Sequence, residues 1–327
     1  MERRTLLGTA AVTIAAPLLA PFPAHQSPSD GRQAATLRLA TTAFRRLDGS
    51  TASRHLQEPV LAHLRLAQIV TSETEDQEQK RRLAAVGSEA ASLAGWLAWD
   101  IGDHGSARTW YGAAVKAARS SGDRLLAAYQ LGSLGQFEAH VGNAAQGLSL
   151  VQQARRQLTD RPMAIATAWL LAIEALAYAT SGDRKAADLA LVESARSADR
   201  VAAEASPPWP WVFAFTPTKV AAARLSCGAR LGLPEWVTAV QDEAAQALAS
   251  GHEKQRALLM LDLAAGYLAG GKIDGAFSLA TRALQTGVRY RSGRIVGRAR
   301  EIRRAYPSVN PPKVIRDFDD RLHDVYL

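Results

Sequence analysis

Hydrophobic residues recur every three or four positions along most of this chain. One such series runs through Leu83, Val86, Ala90 and Leu93. This spacing places apolar side chains on one face of a helix, and Ala, Leu, Arg, Gln and Glu, which form helices readily, dominate the composition of these stretches. No segment shows the alternation that a half-buried strand requires. The pattern therefore predicts an all-α fold from Arg32 to the C-terminus.

Glycines interrupt this pattern about every 40 residues. The recurring ones are Gly102, Gly142, Gly182, Gly232 and Gly271. We predict that each ends one helix and begins a short turn into the next. The fifth residue after each glycine is Ala107, Gly147, Ala187, Val237 or Ala276. Small side chains at these positions would let the second helix of each pair lie close to the first.

A helix, a glycine turn and a second helix with a small residue at the crossing point resemble the tetratricopeptide repeat. The interval of about 40 residues exceeds the usual ~34 and also suits HEAT-like helix pairs. The constant spacing from glycine to small residue favours the tetratricopeptide-like arrangement, although the second helix after Gly232 fits least well. Because one helix pair cannot bury its apolar face, the pairs should stack into an α-solenoid with a concave face and a C-terminal capping helix.

The N-terminal segment differs from the rest, and we divide the chain into residues 1–31 and a helical-repeat domain of residues 32–327. Arg3 and Arg4 followed by an apolar run resemble a twin-arginine export signal. Glu2 and a poor cleavage site argue against export, and Pro17 breaks the run, which argues against a membrane span. The favoured interpretation is a cytoplasmic protein with a hydrophobic linker or docking segment, and the alternative is an exported or membrane-associated scaffold.

The 327 residues carry a formal net charge of +8 and a single cysteine, Cys227. The positive charge suits an acidic partner but does not distinguish nucleic acid from protein. One cysteine cannot form an internal disulfide. Because Cys227 lies among small residues, we expect a packed core thiol rather than a nucleophile.

No motif predicts catalysis or a cofactor. Residues 266–273, GYLAGGKI, approximate a phosphate-binding loop, but Ile273 replaces the Ser or Thr that holds magnesium and the context is helix–turn–helix. HEKQR at 252–256 begins like a zinc-protease helix, but Arg256 stands in place of the second histidine. The histidines are scattered without ligand spacing. We expect no enzymatic activity, no cofactor and no metal site.

The candidate partner- or ligand-binding residues are Trp99, His140, Trp209, Trp211, Phe213 and Arg224. The three aromatic residues of 209–213 alternate between prolines that favour an extended conformation. Such a segment would either line the concave groove or fill a gap between repeats. For Trp99 the alternative is core packing. Arg224 would pair with an acidic or phosphate group of the ligand, and its alternative is a surface ion pair.

A second candidate surface is basic, because residues 289–304 are dense in arginine. If this stretch is helical, Arg294, Arg298 and Arg304 fall along one side as a basic patch that could face phosphate groups. The alternative is the solvated outer face of a capping helix.

Longer segments extend the resemblance. They are 46–66 (RLDGSTASRHLQEPVLAHLRL), 91–123, 207–235 and 312–322 (PKVIRDFDDRL). Together they resemble a large actinobacterial family of tetratricopeptide-repeat regulators, many of which carry an N-terminal helix-turn-helix domain. No helix-turn-helix pattern precedes Arg32.

The resemblance implies a regulatory module of transcription or signalling. Its concave face would bind a protein or peptide partner, or a small effector. We do not expect direct nucleic-acid binding without a separate DNA-binding protein, and a homo-oligomer is compatible with the sequence.

Overall fold

The computed structural model describes residues 31–158, 163–201, 215–248, 252–323 and 325, and within these ranges the chain is helical, with no strand. This confirms the all-α prediction, with the first helix beginning at Arg32. Residues 1–30, with the export-signal-like run, lie outside the described residues, as do Trp209, Trp211 and Phe213.

The helices in the described ranges are α1 (Arg32–Asp48), α2 (Ser53–Glu73), α3 (Gln77–Ile101), α4 (His104–Ser121), α5 (Arg124–His140), α6 (Ala144–Gln157), α7 (Ala164–Thr180), α8 (Arg184–Val201), α9 (Pro217–Leu231), α10 (Pro234–Ala239), α11 (Gln241–Leu248), α12 (Glu253–Ala269), α13 (Ile273–Arg289), α14 (Gly293–Arg304) and α15 (Lys313–His323). None of them is long and apolar enough to cross a lipid bilayer.

Gly-Asp pairs join α3 to α4, α4 to α5 and α7 to α8. Gly102, with a φ of 91°, ends α3 in the left-handed conformation that glycine adopts without steric cost. Asp103 then accepts a hydrogen bond from the backbone N–H of Ser106 and caps α4. Gly122 and Asp123 end α4 and cap α5 in the same way. All five glycines of the repeat pattern have a positive φ, which confirms the predicted turns.

The helices before and after four of the repeat glycines pack in pairs: α3 on α4, α5 on α6, α7 on α8, and α12 on α13. Ala107 of α4 and Ala276 of α13 are fully buried where their pairs meet, as the small-residue spacing predicts. After Gly232 the second helix is broken at Val240 into α10 and α11. This is the place where the repeat pattern fits least well.

The late helices return to the early ones. α14 packs against α3, and Gly293 lies so close to the backbone of Ile101 that no side chain would fit between them. Nearby, the buried ammonium group of Lys254 pairs with Asp48 and with Asp100. These contacts join α12 and α14 to α1 and α3.

Candidate functional site: a central aromatic cavity

The described helices line a partly open cavity of about 350 Å³, near the lower end of the range for small-molecule sites. Its walls come chiefly from α1, α3, α5, α7, α9, α12 and α14. In the paired part of the chain, the first helix of each pair therefore faces the cavity. Of the second helices, α4 alone contributes a lining residue within the described ranges.

Aromatic side chains form much of the cavity wall. They are Trp96, Tyr111, Tyr129, Trp169 and Phe215. Tyr129 and Trp169 stack on each other, with ring centroids 5.2 Å apart and planes inclined by 25°. Because aromatic rings offer a large apolar area with few rotatable bonds, this wall suits an apolar or planar ligand.

Arg294 brings a positive charge to this wall. Its guanidinium carbon lies 3.5 Å from the ring centroid of Trp99 and 5.2 Å from that of Trp96, so the cation rests on aromatic faces. Burial lowers the pKa of Arg294 to about 10, against the opposing influence of Asp100. Within the described ranges no carboxylate lies at ion-pair distance from it, and the guanidinium stays positively charged at neutral pH.

His140 lies beside this arginine and is neutral. Arg230 donates from Nη2 to His140 Nδ1 over 3.1 Å and to its carbonyl oxygen over 3.0 Å. Since arginine can only donate, Nδ1 accepts and the ring proton belongs on Nε2. Burial, reinforced by the charges of Arg294, Arg230 and Arg298, lowers the pKa of His140 well below its usual value.

The two carboxylates that line the cavity both have cationic partners. Asp262 pairs with Arg298 at 3.0 Å and accepts a 2.6 Å hydrogen bond from Ser226. Asp48 pairs with Lys254 and accepts a 2.8 Å hydrogen bond from the indole N–H of Trp96. Each of these cations also pairs with a second carboxylate, Lys254 with Asp100 and Arg298 with Glu301, so the negative charge is compensated in part.

The three cations that line the cavity have no carboxylate at ion-pair distance among the described residues. Arg45 donates a hydrogen bond to the backbone carbonyl of Glu89 at 3.0 Å. The side-chain carboxylate of Glu89 pairs with Arg38 instead. Lys219 makes no side-chain hydrogen bond or ion pair with any described residue, and burial lowers its pKa. With Arg294, they give the cavity an excess of positive charge.

The candidate residues from the sequence lie in different places. His140 lines the cavity. Trp99 is only 2% exposed and packs edge-on against Phe137 at 5.6 Å, so it is a core residue that supports Arg294 rather than a lining residue. Arg224 is not among the residues that line the cavity, and it pairs with Asp188 at 2.9 Å.

The predicted basic patch is divided. Arg294 lines the cavity and Arg298 pairs inward with Asp262, whereas Arg304 is exposed. These arginines do not form a single stripe, because α14 packs against both α3 and α12 and takes the first two inward.

The thiol of Cys227 is fully buried, and burial raises its pKa to about 12. This confirms the predicted core thiol. In the portion of the chain that the structure describes, no three His, Cys, Asp or Glu side chains are grouped closely enough to hold a metal ion.

Sequence reasoning missed most of the lining residues, although their positions carry a signal. They recur at fixed distances before the turn glycines. Six residues before lie Trp96, Gln136, Leu176 and Ser226; nine before lie Leu93, Ser133, Ile173, Ala223 and Asp262; thirteen before lie Tyr129, Trp169, Lys219 and Leu258. This three-to-four spacing is one face of each first helix.

Comparison with protein-family models finds no match to this chain, and comparison with curated proteins finds no significant match.

Proposed function

We propose that this chain is a non-catalytic regulatory protein that binds a small effector in its central cavity. The observation that carries the proposal is the cavity itself, which combines an aromatic wall with a few convergent polar groups. That combination is characteristic of small-molecule sites. A regulatory role in transcription or signalling follows from the resemblance to tetratricopeptide-repeat regulators.

The proposal includes a tetratricopeptide-like superhelix. Its support is the recurrence of positive-φ glycines at the turns, the buried alanines at the crossings, and the inward position of the first helices. In such a superhelix the concave face is the binding surface, and the first helices that would form this face are the ones that line the cavity.

Binding would act on the shape of the molecule. A ligand in the cavity touches α1, α9 and α14 through Arg45, Lys219 and Arg294. A ligand that contacts early and late helices at once favours the closed arrangement over any opened one, since it binds the closed arrangement better. A partner protein in the cytoplasm would read this change.

Equilibrium dialysis tests the proposal. Purified protein is dialysed against a mixed library of neutral, acidic and basic small molecules, and retained compounds are identified by mass spectrometry. The matched variant is Ser133→Phe, which projects a phenyl ring into the cavity. The Ser133 hydroxyl bonds only to the carbonyl of Tyr129 within its own helix, so the replacement removes no contact between helices.

The control is Ser120→Phe, because Ser120 makes the same kind of hydrogen bond, to Lys116, but is exposed and away from the cavity. We expect compounds to be retained by the wild type and by Ser120→Phe and released by Ser133→Phe. Equal retention by all three proteins, or none by any, would contradict a cavity site.

A further inference from the structure

We infer that the ligand of the central cavity is a small organic anion with an aromatic or apolar body, whose acidic group pairs with Arg294. This inference rests on the proposed function and names the chemical class of the effector. Lys219 and Arg45 face the same cavity and add positive potential around that group.

The charge balance of the wall supports an anionic ligand. Both lining carboxylates are paired with cations outside the lining, Asp48 with Lys254 and Asp262 with Arg298, although Lys254 also pairs with Asp100 and Arg298 with Glu301. Arg294 and Lys219 have no carboxylate partner in the described part of the chain. Burying a charge is costly unless it is paired, so an anion that supplies the missing charge gains more here than at the surface.

The support beneath Arg294 fixes where the acidic group would lie. One face of its guanidinium rests on the Trp99 ring, which leaves the planar edge with its N–H donors for the ligand. That edge can donate two parallel hydrogen bonds to a carboxylate or a similar oxyanion. His140 cannot compete for this role, because its Nδ1 already accepts from Arg230 and its ring is neutral.

The rest of the cavity wall indicates the chemical character of the uncharged part of the ligand. The stacked pair of Tyr129 and Trp169, together with Phe215, offers aromatic surface. The cavity holds about 350 Å³, which suits a small molecule.

Two fluorescent probes that differ by one charged group test the inference. Anilinonaphthalene sulfonate is an aromatic anion, and phenylnaphthylamine has the same aromatic body without the sulfonate. We expect the wild type to bind one anionic probe per chain, at least tenfold more tightly than the neutral probe. Ser133→Phe should bind neither, which places the binding in the cavity.

Variants then identify the anchor. Arg294→Gln should reduce the preference for the anionic probe to less than threefold, while the affinity for the neutral probe stays within twofold of wild type. Arg304→Gln, an exposed arginine of the same helix, should behave as wild type. Lys219→Gln should weaken binding of the anionic probe and leave binding of the neutral probe unchanged. Because Lys219 has no partner among the described residues, this variant keeps the test valid if Arg294→Gln is poorly folded.

Equal affinity for both probes in the wild type would overturn the anion inference, and so would a preference that survives both Arg294→Gln and Lys219→Gln. In either case, cavity-dependent retention of other compounds in dialysis would leave the proposed function standing. Probe binding that Ser133→Phe does not affect would also overturn the inference, since the anion would then bind elsewhere.

Discussion

Lys254 donates a hydrogen bond from its buried ammonium group to Asp48, a residue 206 positions earlier in the chain. The same group lies 3.2 Å from Asp100 and donates to Ser53 over 2.8 Å. A buried ionic cluster thus joins α12 to α1 and α3. Because Asp48 also lines the cavity, the cluster connects closure of the helical array with the ligand site.

Lys254→Met should destabilise the protein strongly. The replacement keeps most of the apolar stem but leaves Asp48 and Asp100 buried without their cation. Breaking a buried pair by removing one partner costs about 3–5 kcal/mol, which urea unfolding would measure. Lys313→Met is the control, because Lys313 is exposed and pairs with Asp317 at the surface, where a pair contributes less than about 1 kcal/mol. Similar losses in the free energy of unfolding for both variants would show that the cluster does not hold α12 against α1 and α3.

Gly293→Ala should weaken the contact between α14 and α3. A Cβ atom there would collide with the carbonyl oxygen of Ile101, a backbone atom that cannot rotate away. We expect a loss of about 1–3 kcal/mol from such overpacking. Gly297→Ala is the matched control in the same helix, since a Cβ there meets nothing within 4 Å and should stabilise the helix by about 0.5–1 kcal/mol. Thermal unfolding of both variants distinguishes the outcomes, and a neutral Gly293→Ala would contradict the close approach.

The local features of the fold were predictable because neighbouring residues determine them. Turn glycines, capping aspartates and the alanines at helix crossings act within a few residues of their position in the chain. The burial of Cys227 followed from its small neighbours in the same way.

Closure and the cavity could not be predicted in that way, since they depend on residues far apart in sequence. From the sequence alone, Lys254 lies at what looks like an ordinary solvated helix start. Its burial depends on Asp48 and Asp100, which are distant in sequence and pair with it in the folded structure. Arg294 and Arg304 lie in the same arginine-rich stretch, and the packing of α14 against α3 and α12 turns the first inward and leaves the second exposed. The residues that line the cavity recur at fixed distances before the turn glycines. That this helix face points inward depends on how the helices pack, which the sequence pattern does not show.

Ala107→Leu should destabilise the contact between α3 and α4. Ala107 is fully buried beside Trp99 and Phe137, so three added carbons must displace packed side chains at a cost of about 1–3 kcal/mol. Ala113→Leu in the same helix is the control, because Ala113 is exposed and leucine forms helices nearly as well as alanine. If urea unfolding shows that the two variants are equally stable, a small residue is not required where α3 and α4 meet.

Stability should fall in acid with Asp48 as one cause. Burial alone would raise the pKa of this carboxyl, but the hydrogen bond with His252 and the charge of Lys254 outweigh burial and hold the pKa at about 2, below its ordinary 3.8. A pKa depressed in the folded state gives stability that is present above about pH 4 and is lost as the pH falls towards 2. A shift of nearly two units corresponds to about 2 kcal/mol. Urea unfolding from pH 7 to pH 2.5 should therefore show a smaller loss below pH 4 in Asp48→Asn than in the wild type.

Glu89→Gln provides the comparison of opposite sign. Burial raises the pKa of Glu89 despite the charges of Arg38 and Arg45, so its ionised form costs stability at neutral pH, and that cost disappears as the carboxyl takes up a proton on acidification. Removing this titration should make the variant lose more stability than the wild type between pH 7 and about pH 4.5, before the Asp48 interval begins. Parallel curves for the wild type, Glu89→Gln and Asp48→Asn over the whole range would mean that neither buried carboxyl governs the acid response.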